Sequence, residues 1–157
     1  MKIEDMQALI SEFGQSLELS DLALDETGYC TLAFNEEWLL NLQYDESLQR
    51  LSLFSHLCVV VPECRLQVYA RLLSANLFWQ ETDGATLGMD EDTGMAVLAL
   101  RHDAHGLNLP ALEALLETFI ANVEYWTGEI QRLQQPDAGA AGGQLATGGM
   151  DTSMLRV

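Results

Sequence analysis

Positive charge is scarce in this chain. Seven Lys and Arg stand against 24 Asp and Glu, a formal net charge of −17 at pH 7. Binding along a phosphate backbone needs clustered cations, and docking on an anionic membrane needs a basic patch. The composition argues against both. Cysteine is scarce too. Cys30, Cys58 and Cys64 are an odd number, each in or beside an apolar run, and read as reduced, packed thiols rather than a disulfide framework. The first ten residues mix acids with apolar side chains and hold no unbroken apolar stretch, so no signal peptide is expected. No run approaches the ~20 apolar residues of a membrane helix. A soluble, cytoplasmic protein is expected.

What the chain does hold is apolar material. Of 157 residues 48% are hydrophobic and the mean hydropathy is +0.05, enough for one cored domain. Acidity combined with apolarity lets a protein show hydrophobic surface to a partner and stay soluble through self-repulsion. An ordinary acidic cytosolic protein has the same composition.

Ile3, Met6, Leu9, Ile10, Phe13 and Leu17 recur at helical spacing, with Gly14 expected to fray or end that helix. Three period-two runs follow, at 29–34, 38–44 and 48–61. Turns are expected at Asn35-Glu36-Glu37 and Asp45-Glu46-Ser47, and Leu51, Leu53, Leu57 and Val59 should share one face of the third strand. Pro62 stops that strand. Residues 63–78 read as a helix with Leu66, Tyr69, Leu72, Leu73 and Leu77 on one broad face. A strand at 85–89, a tight acidic turn at Asp90-Glu91-Asp92-Thr93-Gly94 and a strand at 95–101 come next. The last of these is apolar on both faces, which calls for cover on both faces, most economically by a second subunit. Asn108 and Pro110 open the final helix, whose apolar positions from Leu112 to Leu133 keep the 3–4 spacing for about six turns. Residues 136–157 are rich in Gly and Ala and read as a disordered tail beyond a domain at 1–135. The order α-β-β-β-α-β-β-α predicts an α+β fold with a largely antiparallel, twisted sheet packed by helices.

Signatures of chemistry are missing: no phosphate loop, no G-x-S-x-G, no H-E-x-x-H, no paired C-x-x-C. His102, Asp103 and His105 would need further ligands to hold a metal. His56 and Cys58 share a strand face, but a packed thiol is the simpler reading than a nucleophile. Asp90-Glu91-Asp92 lacks calcium-loop spacing. Trp38, Phe78, Trp79 and Trp126 fall on apolar faces, as core or interface residues would. The expectation is a binding protein, not an enzyme, with no cofactor.

Over Ile3 to about Leu133 the chain resembles the class I chaperones of bacterial type III secretion, the Tir chaperone (CesT) family. The resemblance is carried by Leu72-Leu73, by Ala75-Asn76-Leu77-Phe78, by the run from Asp83 to Gly88, and by the acidic turn and apolar strand from Asp90 to Leu100. It implies a homodimer in the bacterial cytoplasm with no catalysis. Such a dimer wraps the N-terminal chaperone-binding segment of a secreted effector in extended form around itself. The effector stays soluble and is presented to the secretion machine, with the secretion ATPase a further candidate partner. Effector strands would add to sheet edges while apolar side chains enter patches. On this resemblance the dimer contact is placed on Leu66, Tyr69, Leu73, Asn76 and Leu77. Packing on their own sheet is the alternative for each of the five. Asn76, an amide among apolar neighbours, needs a partner and would cap or cross the interface. Effector contact is placed on the exposed side of the first helix and first strands, at Leu9, Phe13, Leu17, Leu32, Phe34, Leu40 and Leu42, against the alternative that these are plain core. A second functional class also fits the fold: a cytosolic regulatory or scaffolding domain that binds a folded protein.

Overall fold

Alternating apolar and polar residues between positions 29 and 103 build an antiparallel sheet of five strands in the order β1-β2-β3-β5-β4. The computed structural model describes residues 1–19, 21–34 and 38–135. In chain order the elements are α1 (Ile3–Ser16), β1 (Tyr29–Phe34), β2 (Trp38–Asp45), β3 (Arg50–Val59), α2 (Arg65–Ala75), β4 (Thr86–Asp90), β5 (Met95–Asp103) and α3 (Leu109–Gln134). Short 3-10 turns at Pro62–Cys64 and Leu77–Trp79 flank α2. This is the expected α-β-β-β-α-β-β-α order. The expected turn at 35–37 and the tail at 136–157 lie outside the described residues.

One face of the sheet is the core. Leu32, Leu40, Leu42, Leu51, Leu53, Leu87 and Leu98 point into it, as the period of two requires. Met6, Ile10 and Phe13 of α1 and Leu112, Leu116, Phe119, Val123, Trp126 and Ile130 of α3 close over them. Each such side chain contributes roughly 1.5–3 kcal/mol on burial. The side chain of Asn108 caps α3 by accepting from Ala111 N (3.1 Å), and α3 is the element that the sequence periodicity describes best.

Three local expectations are corrected. Gly14 does not end α1. It lies buried inside the helix, where a Cβ would stand 2.7 Å from Leu19 O and 2.9 Å from Leu22 Cβ. The connection to β1 folds back over it, and Leu19 N donates to Gly14 O (2.8 Å). Val59 does not share a face with Leu57. A register shift between His56 and Val59 flips the alternation, so Val60 is buried and Val59 exposed. The second helix also does not carry one broad apolar face. Val68, Leu72 and Ala75 turn inward, while Leu66, Leu73 and Leu77 turn out to solvent.

Among the described residues the outer face of β5 is only partly covered. Ala96 and Leu98 are buried, Met95 and Val97 are half-buried, and Ala99 is exposed.

Candidate functional site

The exposed apolar surface is concentrated on α2 and the turn after it. Leu66, Tyr69, Leu73 and Leu77 are spaced by three or four residues and therefore share one side of the helix. Leu66 is 87% exposed and Leu73 72% exposed. The stripe runs on into Phe78 (74% exposed) and Trp79, whose φ angles of 58° and 54° are left-handed. Bulky residues seldom adopt that conformation, because Cβ crowds the carbonyl. A held, strained turn that presents two aromatic rings to solvent is a feature of recognition surfaces.

Arg71 holds this turn against α3. Its Nη2 lies 2.7 Å from Glu81 Oε2 and its Nε 3.2 Å from Glu129 Oε1. The guanidinium carbon sits 4.8 Å from the centre of the Trp126 ring. The Arg71 guanidinium holds the Glu81 carboxyl below its ordinary range. Arg132, followed by Arg71, does the same for Glu129. Both carboxylates stay charged and the anchor stays closed at neutral pH.

Asn76 is satisfied within its own chain. Its Nδ2 donates to Leu87 O (2.8 Å) and its Oδ1 accepts from Leu87 N (2.8 Å). The amide thus occupies both edge groups of β4 at Leu87, as a neighbouring strand would. That is the capping alternative for Asn76, and it blocks strand addition at this point of the edge. A groove of about 210 Å³ lies between α2 and β4, lined by Tyr69, Leu73, Asn76, Leu87 and Met89 among others. All five residues placed at a dimer contact are therefore on or beside one surface. Leu66, Leu73 and Leu77 are largely exposed, Leu73 at the lip of that groove.

The residues placed at effector contact divide differently, and here the sequence expectation is corrected. Leu9, Phe13, Leu32, Leu40 and Leu42 are buried in the core under α1 and α3. Their side chains are spent on folding and do not form an exposed side. Leu17, 49% exposed, and half-buried Phe34, stacked on Trp38 at a centroid distance of 5.6 Å, do reach the surface. Sequence reasoning missed what lies between them. The return of the chain over Gly14 leaves a groove of about 370 Å³ between Glu18, Leu19, Asp21 and Leu22 on one side and Thr31, Leu32 and Ala33 on the other. It borders the open edge of the sheet. At Tyr29 that edge is closed, because Asp25 N donates to Tyr29 O and Tyr29 N to Asp25 Oδ1. Thr31 and Ala33 lie two and four residues further on, so their N–H and C=O groups face the same way, along the groove.

Of the polar residues weighed from the sequence, Asp103 and His105 stay together and His56 meets Asp90 at 3.7 Å. His102 lines the cleft beside α3, whereas Asp103 pairs with Arg50 and His105. Among the described residues no group of three His, Cys, Asp or Glu side chains is placed to hold a metal ion. Burial pushes the Cys58 thiol up, and burial with the nearby Asp25 carboxylate pushes Cys30 up to about 11. Neither is an activated nucleophile. Among the described residues no helix is long and apolar enough to cross a membrane.

Residues 8–127 match the Tir chaperone protein (CesT) family. The chain belongs to that family. Among curated relatives is the transcriptional anti-antiactivator ExsC of Pseudomonas aeruginosa, 30% identical over 118 residues, which span 75% of this chain and 80% of the relative. The crystal structure of the ExsC–ExsE complex superposes with a TM-score of 0.73 at 28% identity, over 82% of this chain and 95% of that one. The fold is shared with the HopA1–SchA chaperone–effector complex, with a TM-score of 0.63 at 22% identity over 84% of this chain and 98% of its counterpart.

Proposed function

We propose that this protein is a type III secretion chaperone of the bacterial cytoplasm. As a homodimer it binds the N-terminal segment of a secreted effector in extended form, keeps it soluble, and hands it to the secretion machine, the ATPase included. The family match over residues 8–127 carries this reading. Two surfaces support its finer parts. On the α2 stripe Leu66, Leu73 and Leu77 are exposed among the described residues, with Tyr69 half-buried beside them, an apolar face suited to a second copy. The Thr31–Ala33 edge, with the groove beneath Leu19 and Leu22, suits an added strand that inserts alternate apolar side chains. Leu17 and Phe34 flank that path. The net charge of −17 keeps such a surface soluble and attracts basic segments.

A second reading is favoured by one observation, the regulatory name of the relative ExsC. On it the same surfaces bind a folded protein partner with a regulatory role in place of a secreted effector. The deciding experiment is a tagged pull-down from native cytosol under secretion-inducing conditions, followed by limited proteolysis and mass spectrometry. Protection of a stretch near the N-terminus of one larger protein is expected for the chaperone. A partner protected as a folded domain supports the regulatory reading, and no partner at all removes both.

A further inference from the structure

The outward side of α2 carries a pattern finer than an apolar stripe. Leu66, Ala70, Leu73 and Leu77 follow one another at intervals of four, three and four, the narrow seam along which one helix meets another. All four are exposed in the protomer. The cap residue Asn76 keeps right-handed helical angles (φ −68°, ψ −15°), so the path of the helix carries on to Leu77. Val68, Leu72 and Ala75, which α2 buries, fall on the opposite side. Among the described residues, folding of the protomer leaves the seam largely unused.

The seam reads the same in both directions about the midpoint between Arg71 and Leu72. Ala70 and Leu73 lie equally far from that point, and so do Leu66 and Leu77. Identical copies related by a twofold axis use one patch twice: residue i meets j, and j meets i. With an axis through this midpoint and antiparallel helices, Leu66 of one copy faces Leu77 of the other, and Ala70 faces Leu73. A small side chain then stands opposite a large one, as interdigitated packing requires. Arg71, next to the axis in sequence, is drawn away to Glu81 and Glu129. Charge selects the occupant. Two copies of a chain at −17 repel wherever their acids meet. Glu4, Asp5 and Glu12 lie on α1 and four glutamates on α3, whereas α2 has no acid and the chain holds none between Glu63 and Glu81. A basic segment would gain from acids along the seam, while a second copy needs their absence.

We propose that two copies meet in this register, with the α2 helices antiparallel, Leu73 of each over Ala70 of the other, and Leu66 against Leu77. The inference rests on the dimer reading above and adds to it the position of the twofold axis and the residue pairing. Ala70 is the residue that admits the second copy, because its small side chain makes room for the partner's leucine.

The test is sedimentation equilibrium of the full-length protein over a dilution series, for the wild type, Ala70→Leu, Leu73→Ala and the double variant. Both positions are exposed in the protomer and both residue types suit a helix, so circular dichroism should not change. Ala70→Leu sets Leu against Leu, and Leu73→Ala sets Ala against Ala. Each should weaken the dimer roughly tenfold or more. The double variant exchanges the two sizes and restores the large–small contact, so its dissociation constant should return to within roughly threefold of the wild type. A double variant no tighter than the single ones overturns the pairing. Single variants that leave the dissociation constant unchanged, while Leu73→Asp still separates the chains, overturn this register and leave the stripe dimer standing. A wild-type protein that sediments as one chain at micromolar concentration leaves the seam to a different partner, and overturns the register together with the dimer reading.

Discussion

At the scale of single residues, one amide decides how the sheet ends. Asn76 closes both backbone groups of Leu87, so its replacement by Leu leaves a donor and an acceptor unpaired at the lip of the α2–β4 groove. A loss of roughly 1–3 kcal/mol is expected in urea unfolding, together with a tendency toward larger species in light scattering as the edge opens. Asn76→Asp separates this role from packing. The carboxylate still accepts from Leu87 N but faces Leu87 O without a hydrogen to donate. On protonation it regains one, so this variant alone should recover part of its deficit as the pH falls through the carboxyl range. An unchanged urea midpoint for both variants would show that the amide is dispensable to the edge.

Elements differ in how much of themselves the sequence displays. The 26 residues of α3 hold one apolar period against one sheet face, and periodicity describes them well. In α2, apolar residues stand on two faces for two reasons. Val68, Leu72 and Ala75 build the protomer, whereas Leu66, Leu73 and Leu77 face outward. Hydropathy is the same on both, so periodicity merges them into one broad face. For α1, β1 and β2 the error runs the other way. The family resemblance puts effector contact on this side, yet Leu9, Leu32, Leu40 and Leu42 lie in the core, the alternative that their spacing equally allows. The shift at His56–Val59 and the meeting of Asp83 with Asn122 leave no local signature, because each depends on what lies opposite in space. The distinction within α2 is open to measurement. Leu73 is exposed in the protomer, so Leu73→Asp should leave its secondary structure intact, with melting lowered only by the loss of the stabilisation that dimerisation adds. On the proposed dimer it buries an unpaired charge, and the mass from light scattering at micromolar protein should fall to that of one chain. Leu72→Asp, one residue away but buried, should unfold the protomer itself. A Leu73→Asp protein that scatters as two chains would move the interface off this stripe.

For the whole molecule the governing quantity is charge, and two effects of acid oppose each other. Exposed carboxylates repel at −17, so partial protonation relieves strain between them. Other carboxylates are held by specific donors. Glu81 is held by Arg71, Glu129 by Arg132 and Arg71, Asp90 by Thr93 and the backbone, and Asp103 by His105 and Arg50. All four have folded-state values below their unfolded ones. Their stabilisation is therefore present above the ordinary carboxyl values and is lost as the pH falls through the lowered ones. Among these, Glu129 and its Arg71 partner are the least exposed, and they tie α2 and the Phe78–Trp79 turn to α3. The repulsion is screened by salt, while a partly buried pair is screened much less. Melting temperature followed from pH 7 downward should accordingly change little in high salt until the pH passes below the ordinary carboxyl range, and then fall. In low salt a shallow rise should precede that fall. Glu129→Gln should remove part of the acid-side loss and lower stability at neutral pH, where the pair with Arg71 is intact. A melting temperature that climbs steadily into acid at both salt levels would mean that repulsion outweighs every held carboxylate, and that the Arg71 anchor contributes nothing to the fold.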